Sequence, residues 1–355
     1  MAPCRFRVEE NGAGVDKEVI NKFDNKDKRI GGTCVYEGLF YGRPGLLERL
    51  ANGGTLVVAE GYIFEFERRG YLQAGAYVPE VILEHPEIVR QVYEEFVHAG
   101  SDVVLALTYY THREKLRTIG REGDLEAMNR VALQMAREEQ IELAVELGAD
   151  YIVGETFCCY GESMMALRCI QKYGNVPAVI TLSLGTGDLM LDGVKVKDTV
   201  LALEAAGAAV VGFNCGRGPE TMLPFIQDIK PLCKVPFAAL PVCYRTTPEQ
   251  PCFQSLTVPG TNNRAFPLDL CACQTSRQQI DEFAHACRKL GVQYVGLCCG
   301  NSAHLTRIVA EVYERTPPAS KYTPDMSQHY MFGDKSRFRK EFTEGLRASK
   351  GGDFD

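Results

Sequence analysis

The chain has 355 residues and a formal net charge of -7, with 45% hydrophobic and 24% charged residues. A net negative charge opposes binding to the phosphate backbone, so we exclude a general nucleic-acid role. No apolar run reaches the roughly 18 to 20 residues that a membrane helix needs, and the first residues lack the apolar core of a signal peptide. We therefore expect a cytoplasmic protein whose fourteen cysteines are reduced thiols, some of them metal ligands.

The order of apolar runs predicts alternating strands and helices. Residues 1–44 are polar and irregular, and we interpret them as an N-terminal extension. From residue 45 to about 316, short runs that are apolar on both faces alternate with longer helical patterns, which is typical of βα units around a covered parallel sheet. The predicted strands are 55–60, 102–110, 150–156, 177–185, 208–215, 235–242 and 292–299.

Two of the intervening helices carry clear end signals. The segment "HPEIVRQVYEEFVHAG" places Pro86 in the first turn and Gly100 at the end. The segment "TSRQQIDEFAHACRKLG" begins with a Ser/Thr cap and ends at Gly291. Both helices are therefore predicted with defined boundaries.

Seven predicted strands are one fewer than a closed barrel of this type contains. A strand is expected near residues 137–140, but the run 122–148 has a helical pattern throughout. The predicted fold is an α/β (βα)8 TIM-type barrel in which the third strand is missing or irregular, or is replaced by the N-terminal extension. Residues 317–355 are predicted to form a C-terminal extension with a short basic helix at 336–348, which lies on the surface or in an oligomer contact.

Polar and ionisable side chains follow several of the apolar runs. In parallel α/β folds, catalytic groups gather at the carboxyl ends of the strands. The residues at these predicted ends are Glu60, Thr108, Tyr110, Glu155, Cys215, Cys298 and Cys299. This set indicates a functional site at one end of the barrel.

Three of these residues form a candidate metal site. Glycine follows Cys215 and also the adjacent pair Cys298 and Cys299, so the backbone can turn and all three thiols can converge. Three thiolates would hold zinc and leave one of its four positions open, as catalytic zinc sites do, and sulfur favours zinc over magnesium or calcium. The alternative is that they pack as small apolar side chains.

The remaining cysteines fit packing better than metal binding. None of them forms the C-x-x-C spacing of a structural zinc site. This group includes Cys158, Cys159, Cys233, Cys271, Cys273 and Cys287.

At these residues the chain resembles the homocysteine S-methyltransferase family, and in particular its betaine-dependent branch. The resemblance covers residues 45 to about 351 and rests on "GFNC", "GLCCG", "RGYLQAG", "AGSDVVLALTYY", "EHPE" and "PPAS". It implies a zinc-bearing (βα)8 barrel in which the zinc ligands are Cys215, Cys298 and Cys299.

The same resemblance implies how the substrates are bound. Glu155 would bind the homocysteine ammonium, and Tyr77 and Tyr110 would lie beside the methyl donor. Where the family's first strand usually ends in Asp-Gly-Gly, this chain has Glu60 and Gly61, and we carry them over as substrate-binding residues together with Thr108.

The chain also departs from the betaine enzymes. Tyr77 stands where they carry Trp, and Thr156 stands where they carry Tyr. The third βα unit is shortened by roughly a strand and a loop, and the long C-terminal tail of the animal enzymes is cut short. These departures bear on the choice of donor, on barrel closure and on oligomeric state.

The expected reaction is methyl transfer from betaine to the homocysteine thiolate, which gives methionine and dimethylglycine. An onium donor leaves as a neutral molecule, so no general acid is needed, and its charge is stabilised by aromatic faces such as those of Tyr77, Tyr110 and Tyr62. The expected partners are homocysteine and an onium methyl donor, with neither nucleic acid nor membrane, and self-association into a homo-oligomer is left open.

Three alternatives stay open from the sequence. In the first alternative, the methyl donor is a sulfonium compound, either S-methylmethionine or dimethylsulfoniopropionate. In the second alternative, which the missing strand suggests, the chain is a non-enzymatic zinc-binding paralogue. The third alternative is an unrelated barrel in which the adjacent thiols of Cys298 and Cys299 form a redox pair.

Overall fold

The computed structural model describes residues 46–329 with the exception of 106, 108, 109, 112, 129, 130, 132–150, 175 and 176. Three predictions lie outside the described residues. They are the N-terminal extension at 1–44, the strand expected near 137–140 and the basic helix at 336–348.

Seven parallel strands form one sheet in the described part of the chain, which confirms the α/β barrel class. Their order across the sheet is β2-β1-β7-β6-β5-β4-β3. The strands are β1 (Leu56–Ala59), β2 (Val103–Val104), β3 (Ile152–Phe157), β4 (Ala178–Leu182), β5 (Val210–Asn214), β6 (Phe237–Leu240) and β7 (Tyr294–Leu297). Strands β2 and β3 are the two edges of this described sheet.

Helices lie before, between and after these strands along the described chain. They are α1 (Leu46–Ala51), α2 (Ile63–Arg68), α3 (Val81–Glu84), α4 (Pro86–His98), α5 (Arg113–Thr118), α6 (Tyr160–Cys169), α7 (Val196–Ala205), α8 (Pro219–Ile229), α9 (Arg277–Lys289) and α10 (Ala303–Val312). A π-helical turn spans Ile170–Gly174, and short 3-10 helices span Glu122–Asp124, Lys230–Leu232, Phe253–Ser255, Leu270–Cys273, Pro318–Tyr322 and Met326–Gln328.

The predicted helix ends are confirmed. Helix α4 has Pro86 in its first turn, and Gly100 follows it with a φ of 104°. Helix α9 begins with a capping box between Ser276 and Gln279, and Gly291 follows its end with a φ of 72°. These glycines adopt the left-handed conformation that commonly ends a helix.

Both faces of the sheet are buried, as the two-sided apolar strands predict. Along β1, Leu56 and Val58 belong to an inner cluster, while Val57 belongs to the cluster between the sheet and the helices. Leu46 and Leu50 of α1 join the inner cluster. The interior is therefore filled with side chains, which leaves chemistry to the strand ends.

The prediction of a nine-residue strand at 102–110 is wrong in length, because Val103–Val104 is the only part of it that pairs as a strand among its described residues. The backbone N–H of Leu107 instead donates to the Tyr93 hydroxyl at 2.7 Å. The Leu107 N–H is therefore bonded to a side chain of α4 and not to a neighbouring strand.

Candidate functional site

The three cysteines at the ends of β5 and β7 meet in one place. The Sγ atoms of Cys215, Cys298 and Cys299 all lie within 4.8 Å of one another. Cys215 and Cys299 are 3.6 Å apart at sulfur, and Cys298 and Cys299 are 4.0 Å apart. A tetrahedral zinc ion with bonds of about 2.3 Å requires sulfur atoms about 3.8 Å apart. The triad therefore fits a zinc-sized ion and leaves one position open.

The end of β6 holds this triad in place through its backbone. The N–H groups of Cys215 and Cys298 donate to carbonyls within residues 240–243, at 3.0 and 2.8 Å. The carbonyl of Cys299 accepts from an N–H of the same segment at 2.8 Å. One short segment therefore fixes the two strand ends relative to each other.

Two glycines make the close packing around the cysteine pair feasible. A Cβ on Gly61 would lie 2.3 Å from the carbonyl carbon of Cys298 and 2.5 Å from the backbone nitrogen of Cys299. A Cβ on Gly300 would lie 2.6 Å from Cζ of the Tyr244 ring. The loop after β1 thus lies directly against the Cys298–Cys299 peptide, and only glycine leaves the room for it.

The triad stabilises negative charge unequally. Hydrogen bonds from Cys298 and Cys299 lower the pKa of the Cys215 thiol well below its ordinary value. The pKa values of Cys298 and Cys299 are raised because they donate to Cys215 and because both are buried. Three thiolates at this spacing require a bound cation, which is the property of a metal site.

Two carboxylates converge near the triad. Glu60 follows β1 and is 3% exposed, and Glu155 lies in β3 and is 7% exposed. The Nδ2 atom of Asn214 lies 2.9 Å from Oε2 of Glu155 and 3.5 Å from Oε1 of Glu60. Two acidic groups around one amide nitrogen form a site suited to an ammonium group.

Asn214 is the residue that the sequence reasoning missed. It is fully buried at the end of β5 and immediately precedes Cys215. The available signal was an amide side chain inside the apolar run "VVGFN", because a buried amide requires hydrogen-bond partners.

Aromatic side chains lie on the same side of the barrel. Tyr77 is 8% exposed, and its hydroxyl has no hydrogen-bond partner among the described residues. Phe64 packs edge-on against Tyr77 with ring centroids 5.6 Å apart. The ammonium of Lys115 lies 4.0 Å from the centroid of the Tyr110 ring, so this ring already contacts a cation.

Tyr62, the third aromatic candidate, is 2% exposed, and its hydroxyl is bonded to the backbone. Its hydroxyl donates to the carbonyl of Ala59 and accepts from the N–H of Leu105 at 3.2 Å. The Tyr62 hydroxyl therefore joins the ends of β1 and β2.

Backbone strain is concentrated at this end of the barrel. Among the described residues other than glycine, five have a positive φ, and only Glu314 of these lies away from the candidate site. The other four are Tyr77, Tyr110, Thr156 and Cys215. Such strain is retained where the surrounding structure holds it, and it is frequent at functional sites.

The other cysteines whose side chains are described are free thiols outside the triad. Cys271 is exposed, Cys273 and Cys287 are buried, and the triad is the only group of potential metal ligands found in the described part of the chain. His304, in the first turn of α10, contacts the Ser302 hydroxyl through Nδ1 at 3.0 Å. Thr108 lies outside the described residues.

Comparison with known proteins points to one family. The sequence model of the family described as homocysteine S-methyltransferase matches residues 61–139 and 138–313. Betaine–homocysteine S-methyltransferase 1 of Rattus norvegicus is 29% identical over 361 residues, which are 86% of this chain and 86% of that protein. The S-methylmethionine–homocysteine S-methyltransferase of Mus musculus is 25% identical over 359 residues, which are 88% of this chain and 95% of that protein.

Solved structures of low sequence identity support the fold. The metallated form of the homocysteine methyltransferase MmuM from Escherichia coli gives a TM-score of 0.57 at 16% identity, covering 75% of this chain and 99% of that one. Its oxidized form gives a TM-score of 0.55 at the same identity. No helix in the described part of the chain combines the length and apolarity that crossing a membrane requires.

Proposed function

This chain belongs to the homocysteine S-methyltransferase family and is a methyltransferase, and we propose that it uses zinc to move a methyl group from betaine to the sulfur of homocysteine. The products are methionine and dimethylglycine. The observation that carries the proposal is the triad of Cys215, Cys298 and Cys299, whose sulfur spacings of 3.6 and 4.0 Å suit a tetrahedral zinc ion.

Cys215, Cys298 and Cys299 would hold the zinc ion, which would act as a Lewis acid and favour the thiolate form of a substrate thiol. A free thiol has a pKa near 8.5 and is mostly protonated at neutral pH, whereas its thiolate is the nucleophile. The three cysteine sulfurs would carry the negative charge of the site, so a homocysteine sulfur beside them would keep its electron density. That electron density is needed for attack on a methyl group.

The carboxylates of Glu60 and Glu155 bind the homocysteine ammonium. Both are buried, and both lie against the amide of Asn214. Because Cys215 follows Asn214 in the chain, binding of the amino group places the substrate sulfur toward the triad. The entropic cost of orienting the nucleophile is thereby met by binding rather than in the reaction step.

Tyr77 and Tyr110 hold the methyl donor by its positive charge. Each aromatic face contributes roughly 0.5–2 kcal/mol to binding an onium group. In-line attack by the sulfur expels dimethylglycine as a neutral amine. The leaving amine needs no proton in that step, so no acid has to be placed beside it.

A sulfonium donor is the second candidate. The S-methylmethionine-dependent relative aligns with 88% of this chain, slightly more than the 86% aligned with the betaine-dependent relative of Rattus norvegicus. Tyr77 and Thr156 also differ from the Trp and Tyr expected of the betaine branch. Dimethylsulfoniopropionate belongs to the same class, because it too leaves as a neutral sulfide.

The proposal is tested by zinc content and methyl transfer on one purified preparation. Betaine, S-methylmethionine and dimethylsulfoniopropionate are offered separately with homocysteine, and methionine is measured. We expect about one zinc per chain, turnover with betaine and loss of both in Cys299→Ala. Cys271→Ala, which removes an exposed thiol, is the matched control and is expected to retain both.

Each other outcome has a defined meaning. Turnover only with a sulfonium compound would replace betaine by the second candidate. Zinc without turnover from any of the three donors would contradict the proposed reaction, and a folded protein without zinc would remove its chemical basis.

A further inference from the structure

Strand β3 is irregular where it reaches the candidate site. Its pairing with β4 shifts register between Gly154 and Phe157, so Glu155 and Thr156 lie in a bulge. Consecutive side chains of a regular strand point to opposite faces. In the bulge, both Glu155 and Thr156 reach the amide of Asn214. The bulge therefore directs two successive residues to the same group.

Thr156 contacts both ends of the Asn214 amide. Its backbone N–H donates to Oδ1 at 2.9 Å, and its hydroxyl accepts from Nδ2 at 2.8 Å. From β4, the hydroxyl of Thr181 donates to the same Oδ1 at 2.9 Å. The two donors on Oδ1 fix the orientation of the amide, so Nδ2 is the end that faces Glu60 and Glu155.

This arrangement includes a strained residue. Thr156 has a φ of 65°, a conformation that is uncommon for a β-branched side chain. Its N–H and hydroxyl reach the amide together in this conformation. Strain of this kind persists only where the surrounding structure holds it, and here it is held at the contact with Asn214.

We infer that Asn214, held by Thr156 and Thr181, is a positioning residue that sets the spacing between the carboxylate pair and the thiol triad and so selects homocysteine over cysteine. The inference rests on the proposed function. Asn214 donates to Glu155 at 2.9 Å and contacts Glu60 at 3.5 Å, and the next residue, Cys215, belongs to the triad. An amino thiol has to span that fixed interval, and cysteine is one methylene shorter than homocysteine.

The sharpest test is made at Thr181. Because Asn214 is fully buried, its own replacement would test folding as well as positioning. Thr181→Val keeps the shape of the side chain but removes the hydroxyl that anchors Oδ1, and Thr181→Ser keeps that hydroxyl. Thr199→Val is the matched control, since Thr199 is also fully buried and donates to the Lys195 carbonyl in α7, away from the site.

Binding of homocysteine and of cysteine to the full-length zinc-loaded protein is measured by calorimetry, together with zinc content and the KM for the donor. Loss of one buried hydrogen bond corresponds to about a 3- to 10-fold change in affinity. Thr181→Val is expected to weaken homocysteine binding by that factor and to reduce its preference over cysteine. Zinc content and the donor KM should not change, and Thr181→Ser should restore the wild-type preference.

Four results separate the inference from the proposed function. If Thr181→Val keeps the wild-type preference for homocysteine over cysteine and the wild-type protein transfers methyl groups, only the inference is overturned. The inference alone is also overturned if the control Thr199→Val reduces the preference for homocysteine as much as Thr181→Val does. A wild-type protein that binds homocysteine selectively but transfers no methyl group contradicts the proposed reaction and leaves the inference standing. A wild-type protein that binds neither amino thiol overturns both.

Discussion

Replacing Gly61 by alanine is expected to abolish metal binding at the three-cysteine site while the barrel remains folded. Gly61 has a φ of 78°, and a Cβ there would lie 2.3 Å from the carbonyl carbon of Cys298 and 2.5 Å from the nitrogen of Cys299. These atoms belong to the backbone that carries two of the three sulfurs, so a shift of this peptide moves the site itself.

The structure sets the size of the effect. Ordinary contact begins near 3.4 Å, so the Cys298–Cys299 peptide has to retreat by about 1 Å. Zinc–ligand distances tolerate only about 0.2 Å. The left-handed backbone adds about 1–2 kcal/mol for any residue with a Cβ. We therefore expect loss of zinc and of turnover, with a moderate fall in the free energy of unfolding.

Gly53→Ala is the matched control for this experiment. Gly53 has a φ of 75°, and nothing lies within 4 Å of the position of its Cβ. The Gly53→Ala variant therefore has the unfavourable left-handed backbone conformation but no steric clash of the added Cβ. Zinc stoichiometry by atomic emission, methionine formation and urea denaturation are measured for both variants. A Gly61→Ala protein that keeps wild-type zinc and turnover, or that matches Gly53→Ala throughout, would refute the close-approach argument.

Three further predictions concern single side chains. Tyr110→Leu removes an aromatic face and should raise the KM for the donor about 2- to 30-fold while Tyr110→Phe does not, and an equal rise in the KM for homocysteine would contradict this role. Ser276→Ala removes the capping box of α9 and should lower the free energy of unfolding by about 1 kcal/mol in urea titrations, with unchanged turnover. Iodoacetamide should label Cys271, which is exposed, in the native protein, whereas Cys243 and Cys287 should react only after unfolding, because burial blocks access and raises the pKa of both thiols. Labelling of Cys243 or Cys287 in the native protein, detected by mass spectrometry, would contradict this prediction.

Much of the fold follows from local pattern. All seven predicted strands are present, and the two helices with clear end signals begin and end as expected. Such features depend on periodicity and on glycine, proline and serine at helix ends, which a sequence displays directly. The length of β2 could not be read in this way, because the apolar run "DVVLALTYY" extends beyond the two residues that pair with β1.

For the candidate site, the sequence by itself determined that acidic, aromatic and thiol side chains stand at strand ends, because apolar runs stop there and glycines follow the cysteines. Only the tertiary structure decided which of them touch. The alternation of a strand would place Glu155 and Thr156 on opposite faces, yet both contact Asn214. The cause is a bulge, and a bulge exists only in the pairing of β3 with β4, which neither strand encodes alone.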